Sequence, residues 1–235
     1  MGERMLVPFN THVSTWSRPH YIGGLQIGSR MTLVKLRSGL FVHSPLSPDE
    51  GMQESIAREG HVKHIIAPSL YHCMHTEAFA SAYPNAKVYG PPGLPEKRPG
   101  LGAIRVIENG VEYAWSDEVA HHVIGGLPAL NEVAFLHRGT ETLILTDLLF
   151  NVGANRPLLT RLFFWLTGGY NRPAPSLLLR RFFLKDREAL KESLLHILEW
   201  DFEKIALCHG NNVTHDGRRL LEEAFAFLLG EARGD

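Results

Sequence analysis

The apolar positions of the chain follow two periodicities, one of about two residues and one of three to four. In "RMTLVKLRSGLFVHSPL", the runs Met31 to Leu36 and Leu40 to His43 are β-rich and meet at Ser38 and Gly39, which predicts a hairpin. "SPDEGMQESIAREG" follows, with Asp49 and Glu50 near a helix start and Gly60 beyond its end, the order expected of charge and cap at helix termini. "VKHIIAPS" is then long enough for a buried strand and too short for a helix. The order repeats as helix "HTEAFASAYP" and strand "KVYG", and the prolines and glycines of "PPGLPEKRPGLG" predict an irregular loop. Strands are expected in "AIRVIE", "VEYAWS", "EVAHHVI", "EVAFLHR" and "ETLILTDLLF", the last two joined by the turn "RGTE". From Asp186 the pattern is helical through "REALKESLLHILEW", then gives the strand "KIALCH" and a final helix "GRRLLEEAFAFLLG".

Strands and helices alternate at both ends of the chain, with a cluster of strands between, which suggests two sheets packed face to face with helices on their outer faces. No internal repeat of fixed period is visible, so repeat architectures are excluded. A length of 235 residues, 44% hydrophobic content and the lack of a linker-like stretch favour one domain over residues 1–235. One segment interrupts this reading. From Leu148 to Lys185 there is no Asp or Glu, while Arg156, Arg161, Arg172, Arg180 and Arg181 punctuate a strongly apolar run, which suggests an Arg-rich insertion at about 148–185.

Charge and cysteines narrow the class. A formal net charge of −1 and a pI near 6.9 give no bulk attraction to nucleic acid or to anionic membrane, and nothing resembles a recognition helix or an aromatic RNA-binding platform. Cys73 and Cys208 are too few for a disulfide scaffold and have no paired metal spacing, so a reducing cytoplasm is expected. "MGERMLVPFNTHVSTW" has no apolar run behind a basic start, "MGERML" lacks the hydroxyl residue of the myristoylation pattern, and no segment offers the long apolar run of a spanning helix.

Four candidate ligands stand just past apolar strands: His72 and His75 after "HIIAPSL", Asp147 after "TLILT", and His209 after "IALC". Polar side chains at strand ends sit at the rim of a sheet, where residues distant in sequence converge. Singly, each is more often a hydrogen-bonded histidine or a turn cap. Together, imidazoles and a carboxylate suit zinc or iron, and three protein ligands leave a place for a water that the ion acidifies.

This order resembles the metallo-β-lactamase fold superfamily from about the first hairpin to the last helix. Within it the chain is similar to an uncharacterised-domain group (DUF4336-like) that shares the segments "RMTLVKL", "GLFVHSPL", "HIIAPSLYHCMH", "YPNAKVYGPPGL" and "LILTDLLF". The resemblance implies a four-layer αββα sandwich with a metal site at the common edge of the sheets. It places Asp147 at the bridging aspartate and His209, in "CHGN", at the last histidine. The superfamily pattern is His-x-His-x-Asp-His; with His72 and His75 as its second and fourth members, Leu70 stands at the first histidine and Met74 at the aspartate. The loop that usually supplies another histidine reads "GGLPALNE", and His121 and His122 upstream would substitute only through a slipped register. One metal position would then keep His72 and Asp147, and the other His75, Asp147 and His209. The resemblance therefore implies one divalent ion, zinc or iron, on His75, Asp147 and His209, with His72 as a fourth ligand or hydrogen-bond partner and the second position lost.

Two functions stay open. One is a metal-dependent hydrolase acting on an ester, lactone, thioester or phosphodiester. The other is a degenerate, non-catalytic member that binds a ligand or protein partner, which the replacements at Leu70 and Met74 favour. His43, at the end of the first hairpin, could reach the metal floor or be a buried histidine beside Pro45. Arg156, Arg161 and Arg172 could hold the carboxylate or phosphate of a small anionic substrate if their segment forms a helical lid, or that segment could lie on a membrane or partner, or it could equally be a helical packing element with solvated arginine heads.

Overall fold

The computed structural model describes residues 6–230. The ends of the expected 1–235 domain and most of the "MGERML" stretch lie outside the described residues. β1 (Val7–Pro8) and β2 (Val13–Arg18) lead into a short ribbon of β3 (Tyr21–Ile22) and β4 (Leu25–Gln26), then into the expected hairpin of β5 (Ser29–Leu36) and β6 (Gly39–His43). α1 (Glu50–Glu59) starts where the Asp49 side chain accepts the Met52 N–H and stops at Gly60. It carries the chain over to β7 (Val62–Ile66), which lies parallel to β6. α2 (Thr76–Ala82) makes the same crossover to β8 (Lys87–Gly90), and α3 (Leu94–Lys97) precedes the parallel edge strand β9 (Ile104–Val106). The first sheet thus runs β1-β2-β5-β6-β7-β8-β9.

The second sheet has the order β10-β11-β12-β13, from β10 (Val119–Val123), β11 (Val133–His137), β12 (Thr142–Leu145) and β13 (Lys204–Leu207). Between β12 and its parallel partner β13 lie α4 (Leu158–Thr167), a π-helical turn at Leu179–Phe183, and α5 (Arg187–Leu198), whose first turn Asp186 caps through the Ala189 N–H. α6 (Gly217–Ala224) and α7 (Ala226–Leu229) complete the described chain.

Strand alternation decides the layers. Val133, Phe135, Ile144 and Ala206 point inward against Val34, Phe41 and Ile66 of the first sheet, forming the seam between sheets. Their neighbours Leu136, Leu143, Leu145, Ile205 and Leu207 point outward and are covered by Leu190, Leu194 and Ile197 of α5 and Leu221 of α6. On the other side, Met52, Ile56 and Phe79 of α1 and α2 cover Leu33, Leu40, Val42 and Ile65. The result is the αββα sandwich.

Two local expectations fail for identifiable reasons. "VEYAWS" is a turn: the Tyr113 N–H is taken by Ser116 Oγ, the Val119 N–H bonds back to the Trp115 carbonyl, and Trp115 plugs the seam under Tyr113. "PPGLPEKRPGLG" contains α3 and a 3-10 turn at Pro99–Leu101, because its prolines fall in the first turn of each, where a missing N–H costs nothing.

Candidate metal centre

The site lies where β6, β7, β12 and β13 end, at the common edge of the two sheets. After β7 the chain turns at buried Ser69, whose Oγ accepts the N–H groups of Tyr71 and His72 and directs the His72 ring back over the sheet edge. Asp147 follows Thr146 off β12, and His209 follows Cys208 off β13. Gly210 has φ +83°, and a Cβ there would collide with the Asn151 carbonyl oxygen, so glycine alone fits the turn behind His209.

Among the described residues, the ligand atoms of His72, Asp147 and His209 lie within 4.8 Å of one another. His72 Nε2 and His209 Nε2 are 3.0 Å apart, and each is 3.4 Å from Asp147 Oδ1. The other nitrogen of each ring is engaged. His209 Nδ1 donates to the Gly28 carbonyl at 2.7 Å, which turns its Nε2 toward the cluster, and His72 Nδ1 lies 2.8 Å from Ser44 Oγ. Ser44 is held at φ +54°, a strained conformation for a residue with a Cβ, and its N–H bonds to the Ile66 carbonyl.

At 3.0 Å the two Nε2 atoms either share a hydrogen in an N–H···N hydrogen bond or, once both are deprotonated, present two lone pairs to one metal ion. The electrostatics agree. Burial alone would lower the His72 pKa, yet the Asp147 carboxylate, with the Cys208 sulfur, holds it well above the usual imidazole value. Burial would raise Asp147, but His72 and hydrogen bonds from both rings hold it well below the ordinary carboxylate range. Asp147 Oδ2 is buried without a hydrogen-bond partner. Two aligned nitrogens, an ionised oxygen and an unpaired second oxygen form a donor set that fits zinc or iron.

Glu132, which the sequence pattern did not single out, supports this geometry from beneath. It is fully buried, and its carboxylate accepts the N–H groups of Thr146 at 2.6 Å, Asp147 at 2.9 Å and Leu148 at 2.8 Å, pinning the loop that presents Asp147. Burial, then the Asp147 charge, push its pKa up to about 7 against the pull of the Thr146 N–H.

The two histidines of the loop are placed differently. His75 occupies the N-cap position of α2 and stands outside the cluster, while His72 is at its centre. His75 does line the pocket above the cluster, a cavity of about 350 Å³ walled also by His20, Tyr21, Ile22, Tyr71 and Met74. His20 is a further residue that sequence reasoning missed; burial, then His209, His72 and His75, lower its pKa. Met74 sits exposed at the mouth, and Leu70 packs beside Ala67, Cys73 and Leu94.

The remaining candidates are dispersed. His43 is fully buried, edge-on to Phe135, and pushed down to about 3 by burial and then by His72, so it is a neutral core residue under the site. His121 bonds the Glu108 carbonyl and His122 lies against His196, both away from the cluster. Arg161 lies beside the Tyr170 ring and hydroxyl, and Arg172 lines a separate cleft near Phe227. Arg156 alone approaches the site. Its guanidinium packs on Gly28, behind the carbonyl that orients His209, in a groove of about 330 Å³ that shares Ser29 with the histidine pocket.

The fold and the cluster at its sheet edge define a metallo-β-lactamase-fold protein. The chain is similar to a metallo-β-lactamase from Pontibacter korlensis (10% identity, TM-score 0.63, covering 96% of this chain and 99% of that one). It is also similar to the metallo-β-lactamase FIM-1 from Pseudomonas aeruginosa in its mono-zinc form (11%, TM-score 0.67, 96% and 94%). A third similar structure is the metal-soaked Flv1 flavodiiron core from Synechocystis sp. PCC6803 (11%, TM-score 0.64, 97% and 61%). At these identities the likeness shows the fold. No curated protein sequence matches. The chain belongs to the family described as Domain of unknown function (DUF4336), whose sequence model matches residues 12–164.

Proposed function

We propose that the protein holds one divalent metal ion on His72, Asp147 and His209 and acts as a metal-dependent hydrolase on an ester, lactone, thioester or phosphodiester. The observation that carries this reading is the opposed pair of Nε2 atoms at 3.0 Å beside an Asp147 oxygen that has no partner. A divalent ion there supplies Lewis acidity, which acidifies water and polarises a carbonyl or phosphoryl oxygen. The chain's own residues do the rest. Ser44 and Gly28 fix the planes of the two imidazoles, Glu132 fixes the Asp147 loop, and Tyr21, Ile22 and Tyr71 give the pocket an apolar wall. His75 and His20, outside the ligand trio, face the same cavity and are placed to pass a proton to a leaving group. Arg156 is the arginine positioned to hold an anionic substrate group that extends past Ser29.

Leu70 and Met74 stand where the superfamily pattern has a histidine and an aspartate, which supports a single ion. That same observation favours the competing reading, a member that binds without turnover. Metal analysis of protein purified without chelator, across zinc, iron and manganese, tests the first claim, and a panel of ester, lactone, thioester and phosphodiester substrates tests the second. One tightly held ion with turnover is expected. An ion without turnover of any class supports the binding reading, and absence of any ion overturns both the centre and the hydrolase.

A further inference from the structure

Large apolar side chains exposed among the described residues are, apart from Val111 and Leu195, confined to the β3–β4 ribbon, the His72 loop and the 158–182 segment. α4 shows this most sharply. Thr160 and Phe164 face inward, where Thr160 Oγ1 accepts the Gln26 N–H of the ribbon and Phe164 packs on Phe150 and Val152. The opposite arc of the helix carries Leu158, Leu159, Leu162, Trp165 and Leu166, with Leu158 74%, Trp165 67% and Leu166 68% exposed. The helix therefore has two apolar faces, and only one is covered. Leu178 and Phe182 continue the exposed set on the π-helical turn, which meets the site loop through the edge contact of Phe183 with Tyr71. Tyr71, Tyr21 and Ile22 are both exposed and part of the pocket wall, so the apolar surface runs into the pocket mouth.

The same segment is one-signed. Between Leu148 and Lys185 there is no acidic residue, and Arg156, Arg161, Arg172, Arg180 and Arg181 form no ion pair among the described residues, in a chain of formal net charge −1. A second copy docked about a two-fold axis would set these arginines against one another. A bilayer with anionic lipid offers hydrocarbon for the Leu and Trp arc and phosphate for Arg172, Arg180 and Arg181, the exposed guanidinium groups of the same segment.

We propose that this face docks on an anionic lipid bilayer, with α4 lying in the interface, and that the pocket takes its substrate from that surface as an amphiphile with a hydrocarbon tail. The docking stands on the exposed arc and its charge alone; the substrate class rests on the hydrolase reading above.

Co-sedimentation with vesicles of phosphatidylcholine alone, or with about one phosphatidylglycerol in three, tests the docking. Binding is expected to the mixed vesicles, to weaken in high salt, and to fall by about tenfold or more in the Leu162→Asp/Trp165→Asp double variant. Because both side chains are exposed, the double variant is expected to melt like the parent, and Trp165→Phe to remove a blue shift in fluorescence on vesicle binding. Absence of binding to mixed vesicles overturns the docking, as does a dimer in sedimentation analysis that the double variant abolishes while vesicles stay unbound. For the substrate class, long-chain esters are expected to turn over faster than short soluble ones when vesicles are present. Vesicle binding with no turnover of either length leaves the docking intact and overturns the amphiphilic ester as substrate. Turnover of short esters that vesicles do not raise, with long ones untouched, removes only the amphiphile.

Discussion

Glu132 offers the sharpest test of how the centre is built, because it contributes no ligand and yet fixes one. Oε1 accepts the Thr146 N–H, and Oε2 accepts those of Asp147 and Leu148, with no solvent exposure. In Glu132→Gln the amide oxygen can keep the Asp147 and Leu148 bonds, but its NH2 group then meets the Thr146 N–H donor to donor. One charge-assisted bond is lost and one buried donor stranded, a cost of about 2 kcal/mol. In Glu132→Ala all three donors are stranded, and with water reaching some of them the cost is about 5 kcal/mol. Urea unfolding of apo protein measures these directly. The functional effect is separate: with the loop released, Asp147 loses its alignment with the two Nε2 atoms, and metal affinity is expected to fall by about 10-fold in the Gln variant, read by competition with a chromogenic chelator. Stability within about 0.5 kcal/mol of the parent and unchanged metal affinity in Glu132→Gln would refute the pinning argument.

Three further expectations concern single positions. His72→Ala, Asp147→Ala and His209→Ala should each abolish metal retention, while His75→Ala keeps affinity within about threefold; loss of metal from His75→Ala would restore the ligand set implied by the family signature. His64 is buried among Phe41, Tyr89 and Trp115, and burial, then Lys87, Lys63 and Arg105, lower its pKa from 6.5 to about 4. The unfolded chain takes up this proton below pH 6.5 and the folded chain only near pH 4, so about 3 kcal/mol present above pH 6.5 is lost across that window; unfolding of His64→Phe should be correspondingly flatter there, and equal slopes would count against it. Gly28→Ala, at φ +72°, should cost about 1 kcal/mol in urea and displace the Arg156 guanidinium, whose Nη2 would lie 2.7 Å from the new Cβ; a crystal structure with Arg156 unmoved would contradict this.

Periodicity made the layers legible because each layer buries one face of each element. The two βα crossovers and the strands preceding Asp147 and His209 were readable from short apolar runs with ligands at their ends. What was not readable depends on contacts between distant segments. β1 and β2 lie at the edge of the first sheet and alternate too weakly to stand out, and the β3–β4 ribbon is two residues wide on each side. The choice between His72 and His75 is made by Ser69 and Ser44, neither of which differs in sequence from any turn serine. Glu132 is a lone acid before an apolar strand, and only the fold brings it under Thr146, Asp147 and Leu148. The apolar composition of 158–182 was visible, but its outward orientation was not, since both faces of α4 are apolar.

The cluster also straddles the seam. His72 leaves the first sheet, Asp147 and His209 leave the second, and the carbonyl that aims His209 belongs to Gly28, on the approach to β5. The His72–His209 and His72–Asp147 contacts and the Gly28–His209 hydrogen bond all cross from one sheet to the other, so the centre acquires its full shape only after the two layers have docked. An ion held there would act as a clamp on that docking, adding stability in proportion to the logarithm of its concentration over its dissociation constant. Linkage runs both ways: substitutions at Phe41 or Phe135, deep in the seam and touching no ligand, would retune ion affinity by altering how the two layers align.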